Sequence, residues 1–294
     1  MLEDAAEALG SRYKGKACGT FGEFACLSFN GNKIITTSGG GALVCSSAEA
    51  AGVTKFLATQ ARDKAPHYQH SHIGYNYRLS NICAGIGRGQ MLVLEEHITA
   101  RRAINARYRE MLAGVPGLSF LSEPAGASET AAPDFESNHW LTCILVDPAV
   151  AGFNREDLRL AMDAANIETR PLWKPMHLQP VFAGTPCHSF RQHNDNLENS
   201  SGVFSSSGSN ISSGDENPGG SSEANLGRVG GGNRRNRSSA PLPESDNSVC
   251  GQLFLNGLCL PSHPGLTEAD LERVARVVKG LARMETLPQF SASK

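Results

Sequence analysis

Three polar side chains near the start of the chain are of types that can bind and activate a small organic ligand. Lys33 follows a predicted strand and lies after the flexible run Asn30-Gly31-Asn32, so its amine could project into a cleft. Ser28 lies at the end of that strand, where a hydroxyl can bind a phosphate oxygen. Asp4 precedes the small pair Ala5-Ala6, as an acidic group facing a flat ring would require. A lysine beyond a strand end is more often a solvated charge, so both interpretations stay open on these residues alone.

Short apolar segments predict the strands that position these side chains. Ala25–Phe29 and Ala42–Cys45 are apolar runs bounded by turn residues, which is typical of buried strands. Gly39-Gly40-Gly41 predicts a tight turn before the second run. From about Leu79 to Ala113, apolar residues recur at near-helical spacing, which predicts a long helix that could join two domains. The first part of the chain is therefore expected to be α/β.

The second part of the chain has the pattern of an α+β domain. The run Trp140–Val146 predicts a strand. Asn154 is a plausible N-cap for a helix that continues to Ala165, with acidic residues in its first turn. A second capped helix is predicted to begin at Thr267, with its apolar face formed by Leu271, Val274, Val277 and Val278.

A shift in composition interrupts this second part. The 64 residues from Pro186 to Val249 include 15 Ser, 9 Gly and 9 Asn. Such a segment has too few large apolar side chains to offset the entropy of ordering, so residues 186–249 are predicted to be a disordered insert. We expect residues 1–113 to be part of a large domain with its linking helix, and residues 114–294 to be a small domain that contains the insert.

Composition excludes several classes of protein. The 27 Lys and Arg nearly balance the 29 Asp and Glu among 294 residues, which argues against nucleic acid as a partner. No apolar run approaches the ~20 residues that cross a bilayer, so no membrane association is expected. Eight scattered cysteines include no C-x-x-C pair, which disfavours zinc ribbons and a disulfide framework. A reducing compartment fits best, and we expect a cytoplasmic location.

Two local motifs resemble known binding sites but lack part of the pattern that such sites require. The run Gly85-Ile86-Gly87-Arg88-Gly89 lacks the spacing of a dinucleotide loop, and its glycines more readily allow close helix packing. His67, His70 and His72 could bind a metal if all three converged, but no carboxylate or cysteine lies close by in the sequence. A polar loop is the preferred interpretation, and no metal site is expected.

Five segments together resemble the DegT/DnrJ/EryC1/StrS aminotransferases, the nucleotide-sugar branch of the pyridoxal-phosphate fold type I enzymes. They cover most of the chain outside the insert, in the order found in that family. The resemblance implies an α/β, fold type I pyridoxal-phosphate transferase with an α+β small C-terminal domain. The matching segments are Glu3–Lys16, Gly19–Val44, His72–Gln90, Arg170–Phe182 and Leu253–Val274.

The resemblance implies a site for pyridoxal 5'-phosphate. Lys33 would be the catalytic residue and would bind the cofactor through a Schiff base. Asp4 would pair with the pyridine nitrogen and keep it protonated. Ala6 would pack on the ring face, Glu7 would lie near the ring hydroxyl, and Ser28 would hold the phosphate.

Further residues are implied to act on the substrate side and across a dimer. Asn76, in the motif Gly-Tyr-Asn-Tyr-Arg, would reach the phosphate of a neighbouring subunit, so that a homodimer shares its sites. Arg170, Trp173 and His177 would line the substrate side from the small domain.

The implied reaction moves an amino group from a donor, L-glutamate, to a nucleotide-linked 4-keto-6-deoxy sugar. The free amine of Lys33 would carry a proton as general base and then as general acid. The family's deoxygenating branch has histidine where this chain has Lys33, so the lysine favours transamination. The particular residues of these motifs are similar to those in enzymes that aminate C4 of a UDP-linked sugar.

The resemblance also implies missing parts. Family members begin well before the motif that contains Asp4, so the large domain is expected to be incomplete, with an N-terminal truncation and half of the phosphate site absent. Two alternatives to the transaminase therefore stay open. One is an inactive remnant that at most pairs with a full-length homologue, and the other is a pyridoxal-phosphate-dependent sugar dehydratase.

Overall fold

A computed structural model of the chain describes residues 1–123, 134–183, 185 and 248–284, which lie within one compact unit. Most of the predicted disordered insert lies outside the described residues. Its last two positions are described, and they correct its boundary: Ser248 caps a helix that begins at Val249, because its hydroxyl accepts a hydrogen bond from the Gly251 N–H at 3.1 Å. The predicted division into two domains at residue 113 stays a prediction.

The described elements begin with five strands followed by three helices, and strands and helices are mixed in the rest of the described chain. The strands are β1 (Leu2–Asp4), β2 (Arg12–Tyr13), β3 (Lys16–Ala17), β4 (Phe24–Ser28), β5 (Gly41–Cys45), β6 (Leu118–Phe120), β7 (Phe135–Glu136), β8 (Thr142–Val146), β9 (Arg170–Pro171) and β10 (Gly257–Leu260). The α-helices are α1 (Ala48–Ala58), α2 (Asn81–Leu92), α3 (Leu94–Met111), α4 (Pro148–Ala151), α5 (Arg155–Ala164), α6 (Val249–Asn256) and α7 (Glu268–Met284). Within these ranges, no helix combines the length and the apolar character needed to cross a bilayer.

A three-stranded sheet carries the first predicted site residues. Its order is β1-β4-β5, with β1 parallel and β5 antiparallel to β4. Ala25 on the central strand is buried, while the strand ends lead into loops. The register pairs Asp4 with Cys26, so Asp4 and Ser28 both end up at the carboxyl ends of neighbouring parallel strands. The two strands predicted from apolar runs are confirmed within one residue at each end.

A four-stranded antiparallel sheet, in the order β6-β8-β10-β9, forms the main core with three helices. The apolar faces of α3, α5 and α7 pack against β8 and β10. The predicted strand Trp140–Val146 is observed as Thr142–Val146, with Trp140 just before it. The buried side chains of this core are Ile104, Tyr108, Leu112, Ile144, Val146, Ala151, Phe153, Leu158, Met162, Ile167, Leu258, Leu260, Leu271, Val274, Ala275 and Val278.

The long helix expected from Leu79 to Ala113 is two helices, α2 and α3, separated at Val93. At that residue the backbone leaves helical geometry, with φ −108° and ψ 9°, and its N–H bonds to Gln90 O, three residues back. The turn directs the first half of α3 toward a second apolar cluster of Ile34, Ile35, Leu94, Ile98 and Trp140. Because the second half of α3 packs in the main core, this one helix joins both clusters.

The glycine run at 85–89 lies inside α2, as its spacing indicated. A Cβ on Gly87 would come within 2.9 Å of the Thr37 side chain, so this glycine allows α2 to pack closely on that loop. Gly85 and Gly89 face open space, where an added Cβ would meet nothing within 4 Å. Close packing therefore explains only one of the three glycines, Gly87. This glycine packs against a loop, not against another helix as expected from the sequence.

The two capped helices are confirmed, because capping depends only on neighbouring residues. The Asn154 side chain accepts hydrogen bonds from the N–H groups of Glu156 and Asp157, and the Asp157 carboxylate accepts from the Asn154 N–H. Thr267 and Asp270 make the same reciprocal arrangement at the start of α7. Each pair satisfies backbone donors that a helix N-terminus leaves open.

Replacing the α5 cap should weaken the fold. We expect Asn154→Ala to lower the free energy of unfolding by about 1 kcal/mol, because two backbone donors lose their acceptor. Urea unfolding followed by circular dichroism measures this. Leu160→Ala, at an exposed position of the same helix, is the matched control and should change stability by less than about 0.5 kcal/mol. Equal losses in the two variants would contradict the capping account.

Candidate functional site

The amine of Lys33 is held inside the fold rather than projecting into bulk water. Its Nζ donates a hydrogen bond to Glu7 Oε1 at 3.0 Å, and the lysine side chain is 13% exposed. The same nitrogen lies 4.4 Å from the centre of the Trp140 ring, a cation–π distance. The Trp140 indole N–H in turn donates to Asn32 O at 2.6 Å. Carboxylate, ring and backbone together fix where the amine lies.

A small cavity of about 240 Å³ is lined by Glu7, the carboxylate partner of Lys33, while Lys33 itself is not part of its wall. Asp4, Ala6, Glu7 and Trp173 line it, together with Ala8. Asp4 Oδ1 accepts a hydrogen bond from the Ala6 N–H at 3.1 Å, which closes a tight turn and places the small Ala6 beside the carboxylate. The structure therefore brings together four of the sequence-predicted cofactor residues: Asp4, Ala6 and Glu7 on the cavity wall and Lys33 through Glu7.

The loop that carries Ala6 and Glu7 is fastened by a residue that sequence reasoning missed. Asn138 is buried, and its side-chain amide donates to Glu7 O at 2.8 Å and to Leu9 O at 2.9 Å. Its own N–H donates to Ser11 Oγ at 3.0 Å. No local pattern marks Asn138, because its partners lie more than 120 residues away along the chain. Trp140 was missed as a site residue for the same reason.

The strand that carries Asp4 is secured by its neighbour Glu3. The Glu3 carboxylate accepts hydrogen bonds from the N–H groups of Gly19 at 2.5 Å, Phe21 at 3.0 Å and Gly22 at 3.3 Å. These bonds, the one from Gly19 above all, hold the pKa of Glu3 below its ordinary value. The ionised carboxylate therefore links the start of β1 to the loop that precedes β4.

Two other predicted cofactor residues lie at defined places. Ser28 ends β4, and its Oγ accepts a hydrogen bond from the Asn30 N–H at 3.4 Å. Asn76 is exposed in the loop between α1 and α2, where it forms an isolated backbone bridge with Thr59. Phosphate binding by Ser28 and a reach into a second subunit by Asn76 stay predictions.

The residues predicted for the substrate side are divided between two places. Arg170 and Trp173 line a cavity of about 600 Å³, and Trp173 also lines the small cavity beside Glu7. The rings of Trp173 and Trp140 are 5.8 Å apart between centres. The Arg170 guanidinium is exposed and pairs with Glu168 at 2.5 Å. His177 lies on a 3₁₀ turn, Met176–Leu178.

The three histidines His67, His70 and His72 contact different groups and do not converge on one point. His67 Nε2 lies 3.3 Å from Gln69 Oε1, and His70 Nδ1 lies 2.8 Å from Gln60 O. His72 packs edge-on against Phe56. In the part of the chain that the structure describes, no three histidine, cysteine or acidic side chains gather as a metal site would require.

A primary amine that is largely shielded from water and held in one place can bind a carbonyl compound through an imine, as lysines do in several classes of enzyme. Comparison with known families identifies which of them this is. The model of the DegT/DnrJ/EryC1/StrS aminotransferase family matches residues 1–205, and the chain belongs to that family. The resemblance drawn from the five sequence segments is confirmed.

Individual relatives agree with this assignment. The chain is 38% identical over 293 residues to EpsN of Bacillus subtilis (strain 168), whose name assigns it to the pyridoxal phosphate-dependent aminotransferases; the match covers 100% of this chain and 59% of EpsN. It is 29% identical over 276 residues to the GDP-perosamine synthase of Caulobacter vibrioides, covering 93% and 56% of the two chains. The chain thus spans less than three fifths of the length of these relatives.

A solved structure confirms the fold. The aminotransferase TlmJ from Streptoalloteichus hindustanus superposes with a TM-score of 0.67 at 21% identity. The superposition covers 97% of this chain and 59% of TlmJ. The predicted fold class, an aminotransferase fold of mixed helix and sheet, is therefore correct.

The Glu3 contacts predict a pH-dependent contribution to stability. A carboxyl whose pKa is lower in the folded state stabilises the fold above its unfolded pKa of about 4.3, and that stabilisation is lost as the pH falls through the folded pKa. Glu3→Gln should therefore be less stable than the original chain at pH 7, with the difference shrinking below about pH 4.

Chemical unfolding at pH 7, 5 and 3.5 measures this difference. Glu272→Gln, at an exposed position of α7, removes the same charge without removing such contacts and serves as the control. A Glu3→Gln deficit that stays constant over this pH range would show that the ionised carboxylate is not what holds the loop.

Proposed function

We propose that this chain binds pyridoxal 5'-phosphate at Lys33 and takes part in the transfer of an amino group to a nucleotide-linked keto sugar. The observation that carries the proposal is the position of the Lys33 amine, fixed between Glu7 and the Trp140 ring beside the cavity that Asp4 and Ala6 line. A solvated lysine has none of these contacts. Membership of an aminotransferase family supports the same activity.

The residues at the site suit this cofactor. Its aldehyde needs a primary amine, its pyridine nitrogen needs an acid partner, and its flat ring needs a neighbour without a bulky side chain. Lys33, Asp4 and Ala6 supply these three features around one place. Ser28 presents a hydroxyl at the carboxyl end of β4, which suits a phosphate oxygen. When bound, pyridoxal phosphate supplies an electron sink for the carbon attached to the amino group.

The chain's own residues would then act as follows. Lys33 Nζ takes a proton from the carbon that bears the amino group and returns it at the adjacent position. Glu7 and Trp140 orient that nitrogen, and the Trp173 ring packs against Trp140. The Asp4 carboxylate holds a proton at the ring nitrogen. Each of these roles requires only the local geometry described above.

The substrates are proposed from the family and its relatives. L-glutamate is the proposed amino donor, and a nucleotide-linked 4-keto-6-deoxy sugar, aminated at C4, is the proposed acceptor. The GDP-perosamine synthase relative is named for an amino sugar carried on a nucleotide. The cavity of about 600 Å³ beside Trp173 is large enough for a substrate of this class.

We also propose a homodimer with shared sites, in the cytoplasm. In α2 no residue is buried, and Ile82 and Leu92 expose 78% and 86% of their surface. In the preceding loop Ile73 and Tyr77 are similarly exposed. An apolar patch of this kind suits a second copy of the chain, and it includes the neighbourhood of Asn76. The described cysteines are free thiols, which agrees with a reducing compartment.

Covalent binding of the cofactor is the first test. Incubation with pyridoxal phosphate should produce a visible absorbance band that borohydride removes, leaving the added mass on the peptide that contains Lys33. Lys33→Ala should lose both signals, whereas Lys55→Ala, at an exposed position of α1, should keep them. Absence of the band in a chain that circular dichroism shows to be folded would favour the inactive remnant.

Amino transfer is the second test. Adding L-glutamate to the cofactor-loaded chain should release about one equivalent of 2-oxoglutarate per site in the absence of sugar, because the first half-reaction needs only the donor. Lys33→Ala should release none. Loss of water from the keto sugar without consumption of glutamate would instead identify a dehydratase.

A further inference from the structure

Two buried side-chain polar atoms in the described part of the chain have no hydrogen-bond partner, and both belong to residues that line the same cavity. They are the Nε of Arg101 and the Oγ1 of Thr169. Both residues line the cavity of about 600 Å³ that also includes Trp173. A buried polar atom without a partner destabilises a fold, so unpaired atoms are rare and need an explanation. Their occurrence in one cavity points to a ligand that would pair with both.

Arg101 is a buried cation without a counter-charge. It lies on α3, is 6% exposed, and donates through Nη1 to the backbone oxygen of Trp140. Burial lowers its pKa to about 10. Arg155, which is equally buried, lies 3.6 Å from the Glu156 carboxylate. Among the described residues no carboxylate pairs with Arg101 in this way, so its guanidinium keeps capacity for an anion.

The sequence predicted Arg170 on the substrate side. Arg170 also lines this cavity, but its surroundings differ from those of Arg101. Its guanidinium is bound to Glu168, which lines the same cavity, and 77% of its side chain is exposed. An exposed ion pair contributes little to ligand binding because water screens it and its charge is already satisfied. Of the two arginines, Arg101 is the one whose charge is not paired with a carboxylate. Its burial also lowers the local dielectric constant, and both conditions strengthen the binding of an anion.

The cavity is also next to the reactive lysine. Asn32, Arg101 and His263 line both this cavity and a neighbouring one of about 570 Å³ that contains Lys33. Arg101 is therefore part of the wall that the two cavities share. A ligand anchored at Arg101 could extend from one cavity toward the amine in the other.

We propose that Arg101 and Thr169 form an anion subsite that binds the oxygens of a carboxylate or phosphoryl group on a substrate. The guanidinium Nε–H donates to one oxygen, and the Thr169 hydroxyl donates to another. This subsite rests on the proposed function in one respect: the anion belongs to the amino-acid donor or to the nucleotide of the sugar. Both sources present the same oxyanion chemistry.

Binding measurements on the full chain test the subsite without any turnover. The ligands are uridine diphosphate, which carries phosphoryl groups, and 2-oxoglutarate, which carries carboxylates, each followed by calorimetry. Arg101→Gln should weaken binding of at least one of them by about tenfold to a hundredfold, as expected for loss of a hydrogen bond to a charged group. Arg276→Gln, at an exposed position of α7, removes the same charge and should change binding by less than about twofold.

Thr169→Val keeps the proposal testable if Arg101→Gln does not fold. It removes an unpaired hydroxyl and keeps the shape, so thermal stability should stay equal or rise while affinity falls by about threefold to tenfold. Thr169→Ser should restore most of the affinity. A merely structural role predicts the reverse, a loss of stability with affinity unchanged.

The two ligands identify the source of the anion. Weakened binding of uridine diphosphate alone assigns the subsite to the nucleotide, weakened binding of 2-oxoglutarate alone assigns it to the donor, and weakening of both supports a general oxyanion site. The proposal is overturned if neither ligand binds, or if every ligand that binds does so equally well to the original chain, Thr169→Val and Arg101→Gln. The same samples are tested for labelling of Lys33, so failure of the cofactor proposal is observed separately.

Discussion

The amine of Lys33 stays in place only while three distant segments of the chain stay together. Glu7 supplies the carboxylate, Trp140 supplies the ring, and Asn138 fastens the backbone of Glu7. The segment 138–140 therefore acts as a clamp on loops that precede it by more than 100 residues. Forming these contacts requires closing a long loop, whose entropy the apolar clusters on both sides of α3 must offset.

Helix α3 connects this constraint to the cavity of about 600 Å³ that Arg101 lines. Its first half packs with Ile34 and Trp140, and its second half packs in the main core. Arg101 lies between these two halves and binds the Trp140 backbone oxygen. The residue that supports the lysine and the residue that faces the large cavity are thus directly linked. The wall that the two cavities share therefore belongs to the same helix that packs beside the lysine.

The sequence predicted the structural features that depend on residues close by in the chain. It missed the features that depend on contacts between residues far apart in the chain. The predictions of helix caps at Asn154 and Thr267 were correct, because each cap satisfies backbone groups within one turn of the helix. The break at Val93 was missed because side-chain periodicity continues through it, and only the packing of α3 on a second cluster requires the turn. Residue type and position made Asp4 and Lys33 candidates, and the family motifs were needed to prefer a cofactor site over a solvated charge. Asn138, Arg101 and Thr169 carry no local signal, since their significance lies in contacts made, or left open, across the fold.

Two kinds of cost to stability occur in the residues around this site. His139, between the two clamp residues Asn138 and Trp140, has a left-handed backbone with φ 45°, which is unfavourable for a residue with a Cβ. Nearby, Arg101 and Thr169 keep unpaired polar atoms in the interior. Among the other described residues, buried side-chain nitrogen and oxygen atoms have partners, as the ion pair of Arg155 illustrates. Left-handed backbone also occurs at Lys14, Ser38, Gln60, Ala61 and Asn166, so strain alone does not mark the site. The unpaired polar atoms are more specific, because a fold selected for stability alone has simpler solutions, such as an apolar residue in place of Thr169. Open hydrogen-bonding capacity on the wall of a cavity is the pattern expected where ligand binding contributes to the choice of residues.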